Sequence, residues 1–523
     1  MSSFKLHKII NLNIINYLLI SIFFLYSVYI VKHHYDGHHI GLIYSNAIDL
    51  INGKIPYKEI FIQYGFLTTL IHSFILLLFD NKLFFISVSS VLFYSISILL
   101  ISLSVKKLIN SNYALMASAI ILLNHPIAFL PWSNYIAFFF ISLSIFLISQ
   151  KKINYFLIGF FLSLSILSRQ EIIIPIFLSF LILGLFNINK LKKLLFSNFI
   201  KLFLGFITPL IFFFIYLFYF KIFFYWKNYL SIPDFYLEFY EKSFFDLILN
   251  FVIFFSTESF FNFIITPQYL LISLILFFNS LLLLMIILKK KEIQNDILYI
   301  SILSILLSAA SLQIEIFRLY TSVIIGLIPL LFYLNKTTDH KLRNNFKKLL
   351  IYPSIFAFVF FPFGNNSTFN KNYLKNSKIN LINKNYSFYN WPENKVNTIN
   401  FITEITNNCK VKYLDNFTFD SLYSTISNFD RIGILPYASS SLKHSKFHHY
   451  INSFKNPDNT FVNKINSEIE NENIILLMKK NYIYKIDKIY SSTNYKVIKI
   501  NESNILGKPD YLNIFVPKKC LKN

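Results

Sequence analysis

HHYDGHHIGLIYSNAIDLINGKIPYKEIFIQYGFL, residues 33–67, follows the first long apolar run of the chain, residues 14–31, and is the densest polar interruption of its N-terminal half. It carries Asp36, four histidines (His33, His34, His38 and His39), Asp49, Glu59, Gln63 and a turn from Gly53 to Tyr57. Gly41, Tyr44, Ala47, Ile48 and Ile51 recur near helical spacing, which predicts an amphipathic helix on a membrane surface. A carboxylate and histidines set just outside a first span point to chemistry at that surface.

The rest of the chain decides what kind of surface this is. With 55% hydrophobic and only 14% charged residues among 523, and a mean hydropathy of +0.53, the composition excludes a soluble class and predicts a polytopic membrane protein. The formal charge of +23 does not indicate nucleic acid, because the lysines flank apolar runs or sit in a Lys/Asn-rich tail and no RNA-binding module is present. Cys409 and Cys520 are the two cysteines, with no metal or redox spacing. In an oxidising compartment they either pair or stay as buried thiols.

Eleven apolar runs are read as spans: residues 14–31, 83–105, 114–130, 135–149, 153–168, 172–186, 199–224, 268–288, 297–312, 319–334 and 349–363. The first lacks a small-residue cleavage site and reads as an uncleaved anchor. Residues 66–79 are too short, and residues 244–263 too interrupted by Ser256, Thr257 and Glu258, to count as spans. With this choice every lysine cluster (Lys5/Lys8, Lys106/Lys107, Lys151/Lys152, 190–193, 289–291 and 336–348) falls on one side, the cytoplasmic one. Counting residues 66–79 as a span would invert every later cluster. The opposite side then collects the Asp36 loop, Pro131-Trp132-Ser133-Asn134, Arg169-Gln170-Glu171, residues 225–267 and the segment from Gln313 to Arg318. Intramembrane charges are costly and mark a site or a pair, so their convergence predicts one extracytoplasmic cavity.

From residue 364 to 523 the chain turns polar. Residues 410–414, 432–436 and 474–478 read as strands, and 420–426 and 461–469 as helices, which predicts a small soluble α/β domain. The odd span count puts it outside.

Three pieces of the opening stretch together resemble a known family. Asp36-Gly-His-His, an Ala-x-x-Leu-x-x-Gly-Lys-x-Pro-Tyr run over residues 47–57, and Phe61-Ile-Gln-Tyr-Gly65 are similar to the first extracytoplasmic loop of GT-C glycosyltransferases. That superfamily includes the dolichyl-phosphate-mannose protein mannosyltransferases and bacterial polyprenyl-phosphate-sugar transferases. The resemblance covers about thirty residues and departs from the mannosyltransferase pattern at His38, where those enzymes carry a second acid. It implies a GT-C-like transmembrane domain over residues 1–363, with its first extracytoplasmic loop at 32–66, followed by the α/β domain. It also implies a polyprenyl-phosphate-linked sugar as donor and an extracytoplasmic acceptor, a cell-envelope glycan or glycolipid. The location implied is a bacterial inner membrane, with the N-terminus cytoplasmic and the C-terminal domain periplasmic.

On this reading Asp36 is the catalytic base that deprotonates or orients the acceptor hydroxyl; the plain alternative is a helix N-cap. His38 and His39 orient the acceptor, protonate the leaving phosphate or hold a divalent metal. The H-x3-H spacing of His34 and His38 gathers ligands only on a continuous helix, which Asp36-Gly37 interrupts. Arg169 and Arg318 are candidates for the donor phosphate, because the guanidinium fork suits phosphate and arginine is scarce here. Arg169-Gln170-Glu171 resembles the Arg-acid element of the same family; an Arg169–Glu171 or Glu315–Arg318 ion pair is the structural alternative. Glu59, Gln63, Tyr57 and Tyr64 fit a loop closing over a sugar. A transporter or flippase of lipid-linked glycan is the rival reading, distinguished by polar groups at the midplane rather than at one face.

Overall fold

The computed structural model describes residues 2–33, 35–37, 39–62, 65–125, 130–186, 195–229, 268–288, 294–309, 316–360, 381–391, 393–418, 420–436, 459–479, 493–503 and 509–521. Each of the eleven apolar runs read as spans overlaps a helix, and residues 244–263 lie outside the described residues. In chain order these are α1 (Ser2–Val31), α2 (His39–Ile51), α3 (Phe66–Leu78), α4 (Phe84–Leu108), α5 (Ser111–Leu123), α6 (Ser133–Ile148), α7 (Tyr155–Ser168), α8 (Ile173–Phe186), α9 (Leu195–Tyr219) and α10 (Phe223–Tyr229). They continue as α11 (Gln268–Ile287), α12 (Asn295–Ala309), α13 (Ile316–Val323), α14 (Leu327–Lys336) and α15 (His340–Phe360). Five stretches, within α1, α4, α9, α11 and α13–α14, are long and apolar enough to cross a membrane. Others, including α5, α6, α7 and α12, are shorter and equally apolar. Leu18, Ile22 and Leu25 on α1, and Phe212, Ile215 and Phe218 on α9, face outward. An apolar exterior of that kind points to a lipid bilayer as the environment.

The bundle closes through small residues. In α4, Ser90, Ser97 and Ser104 donate back to carbonyls four residues earlier, at 3.2, 2.7 and 2.8 Å. A hydroxyl satisfied on its own helix lets a neighbouring helix approach without an orphaned polar group. Between helices, Asn16 donates to Ser102 Oγ (2.8 Å), Asn124 to Ser354 Oγ (2.6 Å) and the Tyr320 hydroxyl to the Ile121 carbonyl (2.6 Å).

Helix α3 is turned inside out relative to a soluble helix. Leu70, Phe74 and Leu77 point outward, while Thr69, His72 and Ser73 are buried. At 13 residues it is about 20 Å long, no shorter than α5, so its ends rather than its length distinguish it. Both ends stay at one end of the bundle. Gly65 N and Thr68 Oγ1 bond the Ser168 carbonyl at the close of α7 (3.0 and 2.9 Å), and the Asn81 carbonyl accepts from the Tyr44 hydroxyl of α2 (2.8 Å).

After the bundle comes an α/β unit containing α16 (Glu393–Asn408), β1 (Tyr413–Phe417), α17 (Asn459–Glu470), β2 (Ile474–Lys479), β3 (Tyr495–Ser503) and β4 (Pro509–Pro517). The sheet runs β1-β2-β4-β3, with β1 and β2 parallel and the other pairs antiparallel. Phe461, Ile465 and Ile469 of α17 bury against Ile474, Leu476 and Phe515. The strand expected at 410–414 begins three residues later, and the helix expected at 420–426 is a 3-10 turn, Ser421–Thr425. The strand expected at 432–436 does not form. The segment runs beside β1, but the Asp415 carboxylate takes the N–H groups of Ile432 (2.9 Å) and Gly433 (3.0 Å) that a ladder would have used. This also covers the open edge of β1.

Cys409 and Cys520 form a disulfide across a sequence separation of 111 residues, tying the end of α16 to the turn after β4. In the chain-entropy model a loop that long stabilises the unit by about 4–5 kcal/mol. The Cys409→Ser/Cys520→Ser protein is therefore expected to show an α/β unit that is cleaved by protease at temperatures where the oxidised wild type resists. Equal resistance of the two would refute a stabilising bond.

Candidate active site

The site is built where α2 meets the α/β unit. Asp36 caps α2: its carbonyl accepts from Ile40 N (3.0 Å), and its Oδ1 from His39 N (3.2 Å). The N-cap alternative is thus realised, yet it does not exhaust the carboxylate. Oδ2 lies 2.7 Å from His39 Nδ1, and both side chains keep between a quarter and a third of their surface exposed. The His39 ring meets Trp132 edge to face, with centroids 5.0 Å apart, at the start of α6. A carboxylate on one imidazole nitrogen fixes the ring's orientation, and here the two groups form an Asp–His pair at a helix start.

The residues on either side of Asp36 are held by the α/β unit. The Tyr35 hydroxyl donates to Asp420 Oδ1 (2.7 Å), and its ring packs on Trp391 and Tyr389. The Gly37 carbonyl accepts from Ser421 N (2.9 Å). Lys395 pairs with Asp420 Oδ2 and donates to the Tyr423 hydroxyl (2.6 Å), so the Asp420 charge is matched at a nearly buried position. A Cβ at Gly37 would lie 2.5 Å from Asp420 Cγ, and one at Gly41 would lie 2.8 Å from Leu422 N, so both positions need glycine for this approach.

One turn further, Arg431 reaches back to α2, pairing with Asp49 and donating to Ser45 Oγ (2.7 Å); Lys54 holds the other Asp49 oxygen (2.9 Å). The expected surface helix is therefore nearly enclosed. Ile40 to Ala47 and Asp49 are all buried, because the α/β unit covers the face that would have met water.

The remaining candidates divide. Arg169 is buried beside Glu171, with Nε 3.4 Å from Oε2, at the end of α7, where Gly65 and Thr68 anchor the first loop. Glu59 closes its own turn by accepting from Ile55 N (2.7 Å). Tyr57 is 2% exposed against Phe213 and belongs to the core rather than to a sugar-stacking surface. His38, Gln63 and the side chain of Arg318 lie outside the described residues. No group of three metal-ligating side chains occurs among the described residues. An apolar cavity of about 300 Å³ opens between α1 and α4, lined by Ile20, Phe24, Leu25, Leu92, Ser95 and Leu99.

The sequence reading missed Asp420, Lys395 and Arg431. Only Arg431 had a signal: the chain contains four arginines, and the scarcity that drew attention to Arg169 and Arg318 applied equally to it. No protein-family model and no curated protein matches the sequence.

Arg431→Ala leaves Asp49 buried with Lys54, a quarter exposed, as its remaining cation, a change that costs about 3–5 kcal/mol. Melting of the α/β unit is expected to fall sharply; an unchanged melt would mean the pair does not hold the interface. Asp415 supplies a pH signature. Burial raises its carboxyl from 3.8 to about 6, against the opposing pull of the Ile432 and Gly433 N–H groups and the Arg431 and Lys54 charges. The folded state then binds the proton more tightly than the unfolded chain. This contribution is complete below pH 3.8 and is lost as pH rises through about 6, a swing of about 3 kcal/mol. Melting is expected to rise between pH 7 and pH 5 in wild type, and this component to vanish in Asp415→Asn.

Proposed function

We propose that this chain is a GT-C-type membrane glycosyltransferase. It moves a sugar from a polyprenyl-phosphate-linked donor to a cell-envelope glycan or glycolipid, on the extracytoplasmic face of a bacterial inner membrane. The observation that carries the reading is the Asp36–His39 pair, part-exposed and fixed at a helix start under the α/β unit. Asp36 acts as the base toward the acceptor hydroxyl, with His39 held against it to orient the acceptor and share the proton. Arg169, at the same end of the bundle, is the cation nearest in kind to what a phosphate leaving group requires.

On this reading the chain crosses eleven times (α1, α4 to α9, α11, α12, α13–α14 and α15). Helix α4 starts against the α/β unit, where Leu83 N bonds the Asn385 carbonyl (3.0 Å), and ends at Lys106 and Lys107. Lys151, Lys152 and Lys336 likewise fall at helix ends remote from that unit, which supports a cytoplasmic assignment for them and a periplasmic one for the site. The cavity between α1 and α4, at the middle of both helices, is the seat for part of the donor's hydrocarbon chain.

The test is an envelope-glycan profile by mass spectrometry from cells carrying wild type, Asp36→Asn or a deletion. Asp36→Asn is expected to insert normally and to lower transfer by about 10²–10⁴-fold, so that one sugar is missing in both mutants. A wild-type profile from Asp36→Asn, with lipid-linked sugar accumulating in the deletion, would replace the enzyme by a transporter.

A further inference from the structure

The Pro131-Trp132-Ser133-Asn134 turn has no assignment in the Asp36–His39 chemistry beyond the Trp132 ring. We propose that the start of α6 is the phosphate-binding site of this protein, formed by first-turn backbone N–H groups together with Ser133 Oγ and Asn134 Nδ2. The ligand is a phosphodiester monoanion carried on a lipid. The inference rests on the glycosyltransferase reading for the identity of that lipid, and on the geometry alone for the site.

Helix α6 is 16 residues long, and Trp132, the capping residue that precedes it, makes no side-chain capping bond. A helix start carries unsatisfied N–H groups and the positive end of the helix dipole, the combination that binds anions. The second observation concerns the side chains there. Ser133 is fully buried and Asn134 is 6% exposed, and Ser133 Oγ and Asn134 Nδ2 have no hydrogen-bond partner. Buried polar atoms are almost always paired, so two orphaned groups on consecutive residues call for an occupant. The N–H groups of Trp132 and Tyr135 are taken by the Leu130 and Trp132 carbonyls, so the backbone donors offered are those of Ser133 and Asn134 themselves, and Cα–Cβ bonds tilting toward the helix N-terminus lean both side chains to that end.

The donor set identifies the ligand class. A hydroxyl, an amide NH₂ and backbone N–H groups are neutral donors, which suit an acceptor-rich anion of single charge better than a dianion that demands a paired cation. Trp132, next in sequence to Ser133, touches the His39 ring, which puts the proposed site in the neighbourhood of the Asp36–His39 pair. Both atoms are sealed from water, so phosphate entry requires the turn to open locally.

Purified full-length protein in detergent, titrated calorimetrically with a farnesyl phosphodiester (farnesyl phosphate esterified to a hexose) and separately with inorganic phosphate, tests the site. Wild type is expected to bind the farnesyl phosphodiester, and Ser133→Ala/Asn134→Ala to lose at least about tenfold in affinity. The ligand-free variant should melt no lower than wild type, because neither side chain loses a partner. A site that merely braces the helix would show the reverse, a lower melt and unchanged binding. If the double variant misfolds, Ser133→Ala alone carries the test with a loss in the same direction. Equally tight binding of inorganic phosphate, lost in the same variant, keeps the site and overturns the lipid as the source. Equal affinity in wild type and variant overturns the inference while leaving the glycosyltransferase reading, which the Asp36→Asn glycan profile judges separately. No binding of either probe by wild type overturns the inference outright.

Discussion

Gly37, Gly41, Ser45 and Asp49 stand four residues apart, one per helical turn, and the α/β unit is docked along that row. The two glycines let Asp420 and Leu422 come against the α2 backbone, and the serine and aspartate receive Arg431. A larger side chain early in the row would lift the unit away, and with it the hydrogen bonds that hold Tyr35 and Gly37 on either side of Asp36. The geometry of the candidate base is thus set by contacts with the α/β unit, whose core is continuous with that of the bundle. Close approach comes from small residues, and register from one buried arginine.

Charge follows the same division. At the docked end, Asp420 faces Lys395, Asp49 faces Arg431 and Lys54, and Asp36 faces His39, so most carboxylates there are spoken for. Burying such pairs adds little net stability, and breaking one is expensive, so they act mainly to specify a single docked arrangement. Asp36 differs in remaining part-exposed while its partner is a histidine, the side chain that gains and gives up a proton most readily near neutral pH.

Much of this was legible in the sequence because hydrophobic run length is a strong signal: each of the eleven runs read as spans overlaps a helix. The α2 segment was recognisable as a helix from its spacing. Its burial was not, since nothing in residues 39–51 announces that a unit several hundred residues away will cover the second face. The same limit explains the strand expected at 432–436. Its apolar character was real, but the N–H groups of Ile432 and Gly433 were claimed by the side chain of Asp415, a competition that periodicity does not encode. Asp420 and Lys395 carried no local signal at all; their roles exist only across the interface.

The Tyr35–Asp420 hydrogen bond joins positions 385 apart in the chain. During synthesis the loop around Asp36 emerges early, and the surface that completes it is made after nearly all the helices between. Throughout that interval α2 exposes a face shaped for a partner that does not yet exist. The Cys409–Cys520 bond delays completion further, since it needs a residue made after β4. Assembly therefore ends where the polypeptide began, and the contacts around Asp36 close last of all, when the final unit docks over them.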